Sequence, residues 1–252
     1  MTVDEAALEA FTSEYGTELA PVAVIMAAYR EEDSIGDVVS AIPAMICGHA
    51  TSTIVVVDGS DDDTAKVARK HGALVCDVPV NRGQGAALRL GYSLARTTGA
   101  SYIVTIDADG QYDPAEIERV LSPIVEGEAD FVTGSRRLGR QETDDLVRHL
   151  GVRVFAWLMS RLSGQRITDT SFGLRAMRAE VTGQVRLRQP QYQSAELLIG
   201  VIAHGHRVME VPGSMLRRTA GESKKGHNVL YGWRYARVVA GTWWRERRTV
   251  RA

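Results

Sequence analysis

The residues best equipped for chemistry stand together at Asp107-Ala108-Asp109-Gly110-Gln111, directly after the apolar run Tyr102–Ile106. Two carboxylates one residue apart, followed by an amide, gather several oxygen ligands near one point. Hard divalent cations such as Mg2+ and Mn2+ favour these oxygens and keep positions open for phosphate. A cation held there can bridge a diphosphate and offset the charge that develops as it departs. The bland alternative is an Asx-rich turn with Pro114 starting the next helix, and the tripeptide taken alone fits that turn at least as well. Three further segments change the weighing. Tyr29-Arg30-Glu31-Glu32 follows the run Val22–Ala28, Asp58-Gly59-Ser60 follows Thr53–Val57, and Asn81-Arg82-Gly83-Gln84-Gly85 follows Ala73–Val78. Ligands of open parallel sheets bind beyond the carboxyl ends of the strands. Four polar strand ends on one edge are hard to explain by turn chemistry alone.

Each segment has its own alternatives. Asp58 can meet a base or a ribose while Gly59 permits a tight turn, and Ser60 or Asp61 serves equally well as a helix N-cap. Gly83-Gln84-Gly85 opens a helix and invites a dinucleotide reading. However, Leu88 stands where the third glycine belongs, and no acidic residue ends a strand about 20 residues on in the right register. Without a Gly-Lys-Ser/Thr signature, a P-loop is excluded.

The elements that must position these residues alternate. The five apolar runs Val22–Ala28, Thr53–Val57, Ala73–Val78, Tyr102–Ile106 and Asp130–Thr133 read as strands. Helical patterns lie between them at about Ser34–Ile46, Asp63–His71, Gly85–Thr97 and Pro114–Val125. Short apolar strands alternating with helices imply an α/β, Rossmann-like, mainly parallel sheet covered on both faces. Beyond Gly134 the rhythm changes. Gly139–Asp145 is polar, Leu146–Leu162 has helical apolar spacing, Tyr192–His204 reads as a helix, Val208–Leu216 as a strand and Asn228–Arg245 as a basic amphipathic helix. The expected organisation is an acidic leader over 1–20 forming a loose helix outside the core, a main domain over 21–225, and a C-terminal amphipathic helix within 226–252.

Composition sets the frame. A chain of 252 residues suits one large domain with an extension, and a net charge of -1 argues against nucleic acid as a partner. The basic charge is concentrated at the end: from Arg217 onward, ten Lys or Arg residues face only Glu222 and Glu246. Cys47 and Cys76 lack metal-ligand spacing and read as reduced core thiols. With no basic n-region before an apolar run and no transmembrane-length apolar stretch, the expectation is a cytoplasmic chain.

In order along the chain, Ala28-Tyr29-Arg30-Glu31-Glu32, Val57-Asp58-Gly59-Ser60, Asn81–Ala87, Asp107–Gln111, Gly134-Ser135-Arg136, Asp169–Gly173, Glu196-Leu197-Leu198, and Arg218 followed by Gly221–Lys224 resemble the family 2 glycosyltransferases of GT-A fold. The branch they resemble is the polyprenyl-phosphate, dolichyl-phosphate mannose synthase-like one. The resemblance spans about Pro21 to Lys225. It implies an inverting, metal-dependent transferase that takes a hexose from a nucleotide-diphosphate sugar of the GDP-mannose or UDP-glucose type and gives it to polyprenyl phosphate. Carried over by position, Tyr29, Glu31 and Asp58 hold the nucleoside, with Ala28, Asn81, Gly83, Gly85 and Ala108 lining the donor pocket. Asp107 holds ribose or metal-bound water, and Asp109 and Gln111 bind the Mg2+ or Mn2+; Arg136, Arg218 and Lys224 meet phosphate. Two positions depart from the family pattern: Val57 replaces an Asp before Asp58-Gly59-Ser60, and Arg30 replaces an Asn after Tyr29.

An in-line attack by a hydroxyl needs a general base, for which Asp169 and Glu196 are the candidates; their alternatives are a helix cap and a satisfied salt bridge. A phosphate monoester is already anionic and needs cations instead, which Arg217, Arg218, Lys224 and Lys225 supply. Leu230, Trp233, Trp243 and Trp244 among arginines suit a helix at an anionic membrane surface, or equally a terminal helix packed on the core. The competing readings are transfer to a soluble hydroxyl acceptor and a non-catalytic nucleotide-sugar-binding protein, the latter opposed by intact Asp107, Asp109 and Gln111.

Overall fold

The computed structural model describes residues 2–141, 156–157, 159–161, 167–189, 193–216 and 237–247. Its centre is an eight-stranded mixed sheet. Strands β1 (Val22–Ala28), β3 (His49–Asp58), β4 (Leu74–Val78) and β5 (Tyr102–Thr105) pair in parallel, in the spatial order β4-β3-β1-β5. Beyond β5 the sheet continues through β7 (Arg175–Arg178), β6 (Phe131–Gln141) and β8 (Val208–Met215). The middle strand of these three, β6, is antiparallel to β7 and parallel to β8, while β7 is also antiparallel to β5. A short β2 (Met45–Ile46) pairs antiparallel with the start of β3.

Both faces of the parallel part are buried, and the strand sequences say why. In β1, Val22, Val24 and Met26 enter one apolar cluster while Ala23 and Ile25 enter the other. Strands buried on both sides must be apolar at every position rather than at alternate ones. Fully burying each Val, Ile or Met contributes roughly 1.5–3 kcal/mol. Helices α2 (Ile35–Ala41), α3 (Thr64–Lys70) and α5 (Ile117–Val125) supply residues to the first cluster. The second receives α1 (Val3–Tyr15), α4 (Gln84–Thr97), α6 (Ala179–Gln184), α7 (Gln193–Ala203) and the helical stretch 237–247.

Several elements differ from the sequence reading. The helix expected to reach Ile46 stops at Ala41, because Pro43 forces Ile42 into an extended conformation (ψ 124°); the chain then turns through Cys47 and Gly48, both at positive φ, into β3. The acidic leader does form a helix, but a docked one. Phe11 is buried in the core, and the hydroxyl of Tyr15 accepts from the amide of Val75 on the outermost strand β4 (3.4 Å). The polar stretch after Gly139 continues β6 to Gln141; residues 142–145 lie outside the described residues, as does most of the helix expected over Leu146–Leu162. The C-terminal amphipathic pattern is helical over 237–247, with 228–236 outside the described residues, and Val239, Thr242, Trp243 and Glu246 face inward while Trp244 is exposed. Both cysteines are free thiols. No helix among the described residues is long and apolar enough to cross a membrane.

Candidate active site

The loops after β1, β3, β4 and β5 meet at the carboxyl edge of the parallel strands and are bonded to one another. Asp58, the last residue of β3, is buried. Its Oδ2 accepts from the backbone amides of Arg82 (2.8 Å) and Gly83 (2.6 Å), which fixes the loop after β4. Gly59 lies so close to that loop that a Cβ would meet the Asn81 amide nitrogen at 2.2 Å, and its φ of 66° is one that glycine takes without strain. Asn81 accepts from Gly83 through its Oδ1 (3.2 Å), and Gly83 precedes the first turn of α4, which buries Gly85.

The loop after β1 is tied to its neighbours on both sides. The Ser34 hydroxyl lies within hydrogen-bond distance of Oε2 of Glu31 (3.0 Å) and of the carbonyl of Ala108 (2.9 Å), sharing its one proton between these acceptors and joining the first loop to the acidic one. The amide of Glu31 donates to Thr64 (2.9 Å), and the amide of Arg30 to Ser60 (2.8 Å). Arg30 has φ 55°, a left-handed conformation that costs most side chains about 1–2 kcal/mol and that Asn tolerates better. Its guanidinium binds Asp61 through two bonds of 2.6 and 2.7 Å and lies 5.3 Å from the centre of the Tyr29 ring. Val57, the other departure from the family pattern, is buried in the core.

Asp107 and Asp109 stand just past β5. Gln84, in the first turn of α4, donates from Nε2 to Asp107 Oδ1 (3.1 Å), and Asp109 Oδ1 accepts from the amide of Gln111 (3.1 Å). Gln111 Nε2 in turn donates to the carbonyl of Leu216 (3.3 Å). Gly173 closes over this loop: its amide donates to the Tyr112 hydroxyl (2.9 Å), and a Cβ there would sit 2.7 Å from Asp107 Oδ2. Burial pushes the Tyr112 phenol above its ordinary pKa, so it stays protonated beside these acids. Among the described residues no three His, Cys, Asp or Glu side chains surround a point. Two carboxylates that leave most of a six-coordinate shell to phosphate oxygens and water fit Mg2+ or Mn2+ arriving with a diphosphate.

Beside Tyr112 lies a buried ion pair. Arg136 donates to Asp169 through Nε (2.6 Å) and Nη2 (2.7 Å), and Nη2 also reaches the Ser171 hydroxyl (2.6 Å). Burial alone would raise the Asp169 carboxyl, yet the hydrogen bonds and charge of Arg136 hold it below the ordinary value. Glu210 on β8 supports this loop, accepting from the amides of Thr168 (2.8 Å) and Asp169 (2.9 Å). Glu196, fully buried on α7, accepts from the amides of Arg188 (2.7 Å) and Gln189 (2.8 Å) and from Arg245 Nη2 (2.8 Å) in the C-terminal helix. Arg218 and Lys224 fall outside the described residues.

Arg82, which the sequence offered only as part of a motif, stands beside Asp58. Its Nε lies 3.7 Å from Asp58 Oδ1, too far for a direct hydrogen bond. Asp58 Oδ1 and the Nε and Nη2 of Arg82 are buried with no hydrogen-bond partner among the described residues. Its position two residues before the α4 helix was the available signal.

The glycosyl transferase family 2 model matches residues 23–186. A dolichyl-phosphate hexose transferase of Haloferax volcanii is 36% identical over 203 residues, covering 81% of this chain and 86% of its own. A UDP-N-acetylglucosamine–dolichyl-phosphate N-acetylglucosaminyltransferase of Methanococcus voltae is 28% identical over 84% of this chain and 91% of its own. Among solved structures, glucosyl-3-phosphoglycerate synthase from Mycobacterium tuberculosis, in complex with Mn2+, UDP and glucosyl-3-phosphoglycerate, superposes with a TM-score of 0.68 at 22% identity, over 96% of this chain and 84% of that one. The sheet is thus of the GT-A kind. With the model spanning most of the chain and a relative this close over nearly its whole length, the protein is a glycosyltransferase that belongs to family 2.

Proposed function

We propose that the chain moves a hexose from a UDP- or GDP-linked donor to polyprenyl phosphate, with inversion at the anomeric carbon and with Mg2+ or Mn2+ bound. The observation that carries the acceptor is the engagement of both candidate bases by arginine. A hydroxyl acceptor must give up its proton to a base, but Asp169 is held below the usual carboxylate range in its pair with Arg136. Glu196 is fully buried and accepts from three donors. A phosphate monoester arrives deprotonated and needs only cations to orient it, a task that suits Arg218 and Lys224. The Haloferax relative, named a dolichyl-phosphate hexose transferase, supports the same reading.

On the donor side, Asp58 Oδ1 offers an acceptor next to the donors of Arg82. That pair complements the ring N–H and adjoining carbonyl of uracil or guanine, an edge that adenine and cytosine lack. Tyr29 and Glu31 flank it, and Ala28, Asn81, Gly83, Gly85 and Ala108 shape the wall. Asp107, Asp109 and Gln111 would hold the cation, which when bound supplies charge to stabilise the departing diphosphate. Gln84, Ser34 and Gly173 keep those ligands in place before any donor arrives. A lipid-linked acceptor brings the protein to the cytoplasmic face of a membrane, where the basic tail and exposed Trp244 suit contact with anionic headgroups.

The test is a thermal-melting panel of UDP, GDP, ADP and CDP with and without Mn2+, followed by transfer from the matching radiolabelled sugar to polyprenyl phosphate. Ligand at about 100 times its Kd stabilises by about 2.7 kcal/mol. UDP or GDP should therefore raise the melting point with Mn2+, and Asp109→Asn should abolish that dependence. Label that stays out of the organic phase while a soluble hydroxyl compound accepts it would refute the acceptor.

A further inference from the structure

The N-terminal helix touches the donor pocket through one side chain. Asp4 Oδ1 accepts from Arg82 Nη1 at 2.6 Å, across 78 residues of sequence. The helix cannot readily drift from that contact. Thr2 and Glu5 form a reciprocal cap at its start, Phe11 is buried in the core, and the following chain is pinned by Leu19 to the carbonyl of Thr98 (3.0 Å) and by Ala20 to Ser52 (3.1 Å). Asp4 therefore belongs to a rigid support rather than to a loose end.

The contact also has a direction. A guanidinium is planar with its donors in a fixed fork, so gripping one terminal nitrogen sets the rotation of the whole group. Asp4 takes Nη1. The opposite edge, Nε with Nη2, is left turned toward buried Asp58 Oδ1, and these three atoms have no hydrogen-bond partner among the described residues. We infer that Asp4 is a positioning residue for the donor site: it holds Arg82 beside buried Asp58, the pair read above as meeting the nucleobase. The acidic leader is then part of the donor pocket. This rests on the reading of Asp58 and Arg82 as the pair that meets the base.

Isothermal titration of UDP and GDP in the presence of Mn2+ tests it on the full chain. Asp4→Ala should weaken the preferred nucleotide about three- to tenfold, the size of coupling expected between contacting charged side chains, and Asp4→Glu should restore binding. In an Arg82→Ala background, Asp4→Ala should add nothing. Glu5→Ala is the control: it removes an acidic group and the capping bond from the same helical turn without touching Arg82, and should leave binding as in the unaltered chain. Equal affinity of Asp4→Ala and the unaltered chain would overturn the inference while leaving the donor reading intact. An equal loss in Glu5→Ala would also overturn it, assigning the effect to helix stability. If the unaltered chain binds neither nucleotide, the reading of the pocket falls and this inference with it.

Discussion

The buried pair of Arg136 and Asp169 gives the most direct test of what the site's carboxylates are for. Substituting Asp169→Asn keeps the side chain's size and replaces one acceptor with a donor. That side chain now accepts from Arg136 Nε and Nη2 at 2.6 and 2.7 Å and from the amide of Ser171 at 3.1 Å. After the change an amide NH2 faces a guanidinium, and Arg136, only 7% exposed, loses the carboxylate of its closest ion pair. Breaking a buried pair by removing one partner costs about 3–5 kcal/mol. At about 2–4 °C per kcal/mol for a chain this long, melting should fall by roughly 6–20 °C. Calorimetry on the purified variant measures it, alongside a double variant, Arg136→Met with Asp169→Leu. Removing both charges together should recover most of the loss, because an apolar pair of similar volume needs no desolvation. The reasoning fails if Asp169→Asn melts within a degree or two of the parent while turnover drops about a hundredfold or more, the range of general-base catalysis. That result would make Asp169 a proton acceptor rather than a structural counterion.

Three other outcomes follow from the same contacts. Gly173→Ala places a Cβ 2.7 Å from both Asp107 Oδ2 and Tyr112 Cε2; titration should find weaker Mn2+ binding in the presence of nucleotide, and the fold should lose about 1–3 kcal/mol from overpacking. Glu196→Gln removes the charge paired with Arg245, so hydrogen exchange over 237–247 should quicken while nucleotide affinity holds; unchanged exchange would count against the anchoring role. Hydrogen bonds from Arg207 hold Asp130 down to a pKa of about 2, against 3.8 unperturbed. Because the folded value is the lower one, this contribution is whole above about pH 4. It fades as the pH falls through 2, and Asp130→Asn should flatten that part of the stability–pH curve measured by urea titration.

Much of this architecture could be read from the sequence because burial on two faces leaves a strong signature. Val22–Ala28 is apolar at every position and is a strand over those same residues. The acidic pair after YIVTI pointed to the end of the fourth parallel strand, and it is there. What escaped was set by tertiary partners. Strand β7 reads Arg-Ala-Met-Arg, which looks like surface; Arg175 is nevertheless buried, satisfied by the carbonyls of Phe172 (2.6 Å) and Ser194 (2.7 Å). Nothing local to Arg175 announces those acceptors. The leader's charges suggested a loose helix, but the burial of Phe11, the bond of Tyr15 to Val75 and the reach of Asp4 to Arg82 make it part of the fold. Likewise Asp169 and Glu196 carry the residue type of a base, and only the structure supplies the arginines that occupy them.

The hydroxyl of Ser34, shared between Glu31 and the carbonyl of Ala108, ties the loop after β1, proposed to hold the nucleoside, to the acidic loop after β5. An adjustment in one loop reaches the other through this short side chain, and Gln84, which donates to Asp107, joins the loop after β4 to the same acidic segment. Thermodynamic reciprocity then makes the exchange two-way: the factor by which a nucleotide tightens the cation is the factor by which the cation tightens the nucleotide. On the roles proposed for these loops, loading of donor and ion would be one cooperative event, which would keep a half-filled cleft scarce.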